Sequence, residues 1–299
     1  MVEMRDHALG IVLPVVVYWI YGGFLDFLDS MDIKVMNRWR LHSRSDEQKL
    51  NLVSKGAVVR GVLLQQLLQV VVAVLLFLVD PNSQNHGESP PSVWVQVAQV
   101  GVAMVVMDAW QYFWHRLMHE SRFLYRNLHS WHHRLLVPYA YGALYNHPLE
   151  GLILDTFGGA VSFLASGMHP RTAIYFFTFA TMKTVDDHCG LVLPFSPFQR
   201  FFHNNAAYHD IHHQLSGFRF NYSQPFFPVW DMLLGTHMPF ALVKRADGGV
   251  EAKAIRPSSL SSDAKSTAAA AAAKAAGAAA AAAAANGGGD GEREDKKND

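Results

Sequence analysis

The chain has 299 residues, a formal net charge of zero, and 50% apolar against 17% charged residues. A neutral chain has no basic field for a nucleic-acid partner. A lone cysteine, Cys189, excludes an internal disulfide framework and fits reducing, cytosol-facing chemistry.

The apolar residues gather into runs, the pattern of a membrane protein. Residues 9–25 (LGIVLPVVVYWIYGGFL) form the first run, about long enough to cross a hydrocarbon core of about 30 Å. No small-residue cleavage site follows and the preceding residues are barely basic, so a retained span is favoured over a signal peptide. Residues 26–60 are polar and carry Lys34, Arg38, Arg40, Arg44, Lys49, Lys55 and Arg60. The second run, 61–79, holds Gln65, Gln66 and Gln69, which should face other helices rather than lipid. Residues 80–92 read as a loop from their Pro, Gly, Asn and Ser content and have no Lys or Arg. The third run, 93–114, is interrupted by Gln96, Gln99, Asp108 and Gln111 and leads into the first histidine pair. Residues 151–167 and 172–182 are each short for a span, and His169-Pro170 divides them, so a helical hairpin that enters and returns on one side is expected.

The positive-inside rule places the basic 26–60 loop in the cytosol and the 80–92 loop in the lumen. With the hairpin returning before His188, every histidine cluster then falls on the cytosolic face. From about Asp247 the composition turns to low complexity, and residues 267–286 are nearly all alanine, a tract with no amphipathic face to dock. Lys296 and Lys297, fourth and third from the end, look like a dilysine retrieval signal of endoplasmic-reticulum membrane proteins.

Sixteen histidines are present, most of them between His115 and His213. Three boxes stand out: His115 and His119 (HxxxH), His129, His132 and His133 (HxxHH), and His209, His212 and His213 (HxxHH). On a helix, positions i, i+3 and i+4 share a face, so each box is expected to present its imidazoles in one direction. Neutral imidazole is a ligand for iron, zinc, copper and nickel. These eight histidines exceed the four ligands of a tetrahedral site and suit two metals with positions left open. His188, where the hairpin re-emerges, is a ninth candidate. Asp187, Asp210 and Glu120 are candidates for carboxylates that orient imidazoles. His147 and His203 are weaker metal or substrate-side candidates. Tyr139, Tyr141, Tyr145 and Asn146 are candidate polar anchors for a substrate head group. The HxxxH pair lacks the glutamate of a zinc protease, and no Gly-rich dinucleotide fingerprint occurs, so electrons would come from a partner. The predicted fold is an all-α integral membrane protein: a helical transmembrane bundle with a cytosolic histidine-rich di-metal cap.

The segments DAWQYFWHRLMHE, RNLHSWHHRL, YNHPLEG, DDHCG and HNNAAYHDIHH resemble the fatty acid hydroxylase and sterol desaturase superfamily, most nearly its plant sphingoid-base hydroxylases. The resemblance covers roughly residues 93–240. It implies a catalytic domain there, preceded by membrane spans in 1–92 and followed by a tail from 241 to 299. It further implies a di-iron centre held by His115, His119, His129, His132, His133, His188, His209, His212 and His213, with zinc an alternative in purified samples. Molecular oxygen, electrons from cytochrome b5 and its reductase, and C-4 hydroxylation of a dihydrosphingoid base at the endoplasmic reticulum complete the expectation. A sterol desaturase or C-4 methyl oxidase is the competing reading within the superfamily. A histidine-rich metal transporter is the competing reading from another class, disfavoured because the histidines sit at span ends rather than along a path within the spans.

Overall fold

The structure, a computed structural model, describes residues 2–79 and 89–255. The alanine tract, the dilysine end and most of the 80–92 loop lie outside the described residues.

Helix α1 (Val2–Ser30) is followed by the short α2 (Lys34–Asn37) and α3 (Arg44–Leu50), then by the long α4 (Lys55–Val79) and α5 (Val93–Glu120). Helix α6 (Arg122–Asn127) leads into two 3₁₀ turns, His129–Arg134 and Ala140–Gly142. Helix α7 (Pro148–Gly151) continues through a π-helical turn (Leu152–Phe157) into α8 (Gly158–Ser166). Then come α9 (Pro170–Asp187), α10 (Pro197–Phe201), α11 (Ala206–His213) and α12 (Val229–Leu234). A hairpin of β1 (Phe240–Lys244) and β2 (Val250–Ala254) closes the fold, with Phe240 opposite Ala254 and Lys244 opposite Val250.

Among the described residues, four segments are long and apolar enough to cross a membrane: Ala8–Ser30, Lys55–Leu76, Val93–Glu120 and Pro148–Ser166. Their outward faces expose large apolar side chains, among them Ile20, Phe24, Leu67 and Leu75, as membrane-spanning helices do. At about 1.5 Å per residue the 28 residues of α5 extend about 42 Å, beyond a hydrocarbon core of about 30 Å. His115 and His119 lie in the last two turns of this helix, at its end rather than its middle.

Residues 148–187 leave the histidine end and return to it. Glu150 at their start meets His129, and His188, just past their end, faces His132. The reversal lies at Gly167, whose φ of 58° is open to glycine at little cost, followed by Pro170 at the first turn of α9. The two arms splay: α8 packs on α5, and α9 packs on α1. At the far end Gln99 donates to the Gly167 carbonyl at 2.8 Å and Arg171 pairs with Asp6 at 2.6 Å. Tyr18, Leu25, Val58, Val62 and Val185 form the core shared by α1, α4 and α9, and Met107, Phe176 and Phe226 join α5 to α9.

The segments outside the bundle cross-link over its histidine end. Leu41 donates to the Gly190 carbonyl, Leu52 to that of Arg134 and Val250 to that of Arg40. The ordered fold runs past the expected boundary at residue 240. Gln214 Nε2, one residue beyond α11, donates to the Ala252 carbonyl, so the β-hairpin braces the third histidine box instead of belonging to a loose tail.

Candidate metal centre

All nine histidines singled out in the sequence are buried. They form two groups, one of His115, His119, His129, His133 and His212, the other of His132, His188, His209 and His213, and within each the potential ligand atoms lie within 4.8 Å of one another. The boxes do not each point one way, as the helical spacing predicts. The second box is a 3₁₀ turn, in which His129 and His133 join the group of five while His132 joins the group of four. On α11 the i, i+4 pair His209 and His213 enters the group of four, and His212 turns to the group of five. Boxes two and three thus each supply both groups.

Ring orientation is fixed from behind. The Nδ1 atoms of His115, His132, His188, His212 and His213 lie 2.7–3.3 Å from main-chain oxygens, those of Tyr222, Tyr145, Thr184, Phe220 and Leu135 respectively. A carbonyl only accepts, so each Nδ1 carries the proton and each Nε2 presents a bare lone pair. His129 Nδ1 bonds the Glu150 carboxylate at 2.5 Å, with the side chains 2% and 1% exposed. The Nε2 atoms converge: His129 lies 3.1 Å from His115, 2.7 Å from His119 and 3.1 Å from His133, and His188 lies 3.4 Å from His132. Burial holds His129, His188 and His212 near pKa 3 and His132 near 4, so they are neutral at physiological pH. Facing lone pairs with no proton between them repel, and a shared cation removes the repulsion. Bonds of about 2.1 Å to one metal place cis ligand nitrogens about 3 Å apart, the spacing seen here. His212 Nε2, buried without a hydrogen-bond partner among the described residues, is a further donor aimed at such an ion. The donor set therefore fits metal.

A narrow cavity of about 30 Å³ lies against both groups, lined by Gln111, Asn146, Glu150, Asp155, Thr184, Asp187 and Gln224 beside five of the histidines. Of the expected polar anchors, Asn146 reaches it. Tyr141 instead packs on Trp19 of α1, Tyr139 lies under Lys55, and Tyr145 contributes its carbonyl to His132. The expected orienting carboxylates take other partners. Lys183 Nζ bonds both oxygens of Asp187, Asp210 bonds His42 at 2.6 Å, and Glu120 pairs with Arg116 on the surface. His147 caps α7 and packs on Trp131, and His203 is exposed outside both groups.

Glu150 escaped the sequence reading. It lies in the YNHPLEG segment, one residue before the apolar stretch, and its signal was an acid at the mouth of a membrane hairpin. Asp231 was also missed. It accepts from the Tyr222 and Ser223 amides, Thr236 Oγ1 and the Tyr208 hydroxyl, and so fixes the main chain that holds His115.

Two groups of buried, neutral imidazoles at the end of a helical membrane bundle define the class: a membrane protein whose histidine clusters can hold metal ions. The chain belongs to the fatty acid hydroxylase family, whose profile matches residues 100–236. It is 58% identical over 251 residues to sphinganine C4-monooxygenase 1 of Arabidopsis thaliana, covering 84% of this chain and 95% of that protein. It is 57% identical over 253 residues to a protein of Oryza sativa subsp. japonica named a very-long-chain aldehyde decarbonylase, covering 85% and 97%. The sphingolipid C4-hydroxylase of Saccharomyces cerevisiae is 39% identical over 257 residues, covering 79% and 73%. No solved structure matches the chain.

Proposed function

We propose that the chain is a sphingoid long-chain base hydroxylase, converting sphinganine, free or within a ceramide, to 4-hydroxysphinganine (phytosphingosine) with molecular oxygen. The observation that carries the reading is the convergence of bare Nε2 lone pairs in two buried groups, in a chain similar along most of its length to sphingolipid C4 hydroxylases. His115, His119, His129, His133 and His212 would hold one iron, and His132, His188, His209 and His213 a second, with zinc the alternative filling. Two irons supply oxygen activation against an inert C–H bond, chemistry that no side chain provides.

The chain's own residues do the rest. Burial keeps the imidazoles unprotonated and open to metal. Glu150 and the five carbonyls hold six of the nine rings in their tautomers. The cavity beside both groups receives the reacting carbons, and the apolar helices hold the chain of the lipid. One methylene in an apolar pocket discriminates by only about 1–3 kcal/mol, so the polar lining must set the position of attack. No dinucleotide fingerprint occurs, so a partner supplies the electrons, and the family resemblance implies cytochrome b5 and its reductase in that role. The enzyme resides in the endoplasmic reticulum membrane with the histidine end and the carboxyl terminus in the cytosol, as the basic 26–60 segment directs. Residues 1–92 supply membrane spans, residues 93–240 the catalytic domain, and the tail lies beyond.

Two other readings have support. The rice protein's name points to a long-chain aldehyde as substrate, and methylsterol monooxygenase 1 of Gallus gallus, 34% identical over 170 residues covering 56% of this chain and 55% of that protein, points less strongly to a sterol. Expression in yeast lacking its own C-4 hydroxylase, followed by lipid mass spectrometry, separates them. Phytosphingosine is expected with the wild type and not with His132→Ala. Its absence from both, with both stably expressed, defeats the sphinganine reading, and alkane or oxidised sterol would identify the alternative.

A further inference from the structure

Of the carboxylates that line the cavity, Glu150 bonds His129 and Asp187 bonds Lys183, which leaves Asp155 without a charged partner among the described residues. Asp155 lies on the π-helical turn, within the membrane segment Pro148–Ser166, and lines the cavity together with Glu150. On an α-helix, residues five apart point about 140° away from one another. The wider π turn between these two, with its i to i+5 bonding, brings both carboxylates to the cavity side. Among the described residues the polar partners of Asp155 are neutral amides at long range, Gln111 Nε2 at 3.3 Å and Gln69 Nε2 at 3.4 Å, and no lysine or arginine pairs with it. The second oxygen of Glu150, in a side chain 1% exposed, has no hydrogen-bond partner among the described residues. A carboxylate at this depth is costly and marks a functional contact. An orphaned oxygen beside it asks for a donor.

We propose that Asp155, assisted by the free oxygen of Glu150, binds the protonated primary amine of a long-chain base, so that the free base is preferred over its N-acylated form. The inference rests on the hydroxylase reading for the identity of the lipid. In a sphingoid base the amine stands three bonds from C4, at most about 4 Å away. Residues of both histidine groups and the Asp155 and Glu150 carboxylates line the same cavity, so the partner of the amine and the groups that would hold the metals stand on one short stretch of wall. An amide nitrogen carries no charge and a single N–H. The lining supplies the polar anchor that apolar contacts cannot.

The test is equilibrium binding of sphinganine and N-acetylsphinganine to the full-length, iron-loaded protein in lipid nanodiscs at pH 7, with iron content and thermal midpoint measured alongside. The wild type is expected to bind sphinganine about ten-fold or more tightly than N-acetylsphinganine, the scale of one charge-assisted hydrogen bond. Asp155→Asn is expected to lose that preference while keeping its iron. Asp155→Ser, smaller and uncharged, carries the same expectation and stands in if the Asn variant loses iron. Equal binding of the two lipids by the wild type, or a preference that survives in the uncharged variants, overturns the proposal. Phytosphingosine formation with a binding ratio near one would defeat this inference alone. Amine-selective binding without phytosphingosine would defeat the hydroxylase reading and leave the amine site standing.

Discussion

Removing the Glu150 carboxylate should weaken the group of five out of proportion to one lost hydrogen bond. Glu150 bonds His129 Nδ1 at 2.5 Å, and His129 Nε2 lies within 3.1 Å of the corresponding atoms of His115, His119 and His133. His129 is therefore the hub of its group, and its ring angle sets the position of the others. A charge-assisted hydrogen bond of this kind contributes about 1.5–3 kcal/mol. Loss of such an orienting partner typically costs about 10–100-fold in metal affinity or activity. Glu150→Gln keeps an oxygen that can accept from Nδ1 and loses only the charge, so it should fall near the ten-fold end. Glu150→Ala leaves the buried ring proton without an acceptor and should fall near the hundred-fold end. Iron stoichiometry and chelator competition on purified protein read the effect directly, and phytosphingosine formation reads its consequence. The group of four has its own anchors at Tyr145, Thr184 and Leu135, so the first ion lost should be the one in the group of five. An alanine variant that keeps both ions at wild-type affinity would refute the reasoning.

Three further outcomes follow from the same structure. Unfolded histidine titrates near 6.5, whereas burial lowers His129, His188 and His212 to about 3 and His132 to about 4. As pH falls below about 6.5 the unfolded chain takes up protons that the folded chain refuses, so stability falls with pH. The thermal midpoint in detergent should drop and iron should dissociate between pH 7 and 5, and flat profiles across that range would contradict the assignment. Asp231→Ala strands the Tyr222 and Ser223 amides and frees the segment behind His115. A loss of about 2–4 kcal/mol, read as a lower thermal midpoint with reduced iron, is expected, and an unchanged midpoint would count against the Asp231 hub. At Gly217 an added Cβ would meet the Ile211 carbonyl oxygen at 1.9 Å, and that carbonyl belongs to the main chain of α11. Gly217→Ala should therefore shift the third box and cost about 1–3 kcal/mol, visible as iron loss at moderate temperature, whereas full iron occupancy would show that the loop relaxes instead.

The identities of the clustered histidines were legible because spacing survives in one dimension: HxxxH and HxxHH can be seen before any fold is known. Which ring joins which group was not legible. The second box adopts a 3₁₀ turn, with three residues per turn rather than 3.6, and α11 crosses the seam between the groups with one histidine on each side of it. Both outcomes depend on packing rather than on local pattern. The hairpin of residues 148–187 was readable from two short apolar runs divided by Gly167 and Pro170, whereas the π turn that brings Asp155 to the cavity leaves no mark in hydropathy. The β-hairpin was hidden by the compositional change at Asp247, although Asp247-Gly248 is itself a hairpin-turn signal between FALVK and VEAKA.

The sharing of boxes two and three between both groups ties the two sites into one unit. If each box served one ion, loss of a box would leave the other ion in place. Here His132 and His133 are chain neighbours that point into different groups, as are His212 and His213. A shift of the 129–134 turn or of α11 therefore moves ligands of both groups together. The main-chain carbonyls reinforce this coupling. His213 of the third box leans on Leu135, the residue that ends the second, and His212 leans on Phe220, whose segment is fixed through Asn221 to Met238 just before β1. The cap thus behaves as a single clamp, in which the spacing between the two groups is set by rigid turns. That arrangement suits a reaction that needs two ions at a fixed separation more than one that must release them, which is the physical reason to favour an enzyme over a metal carrier.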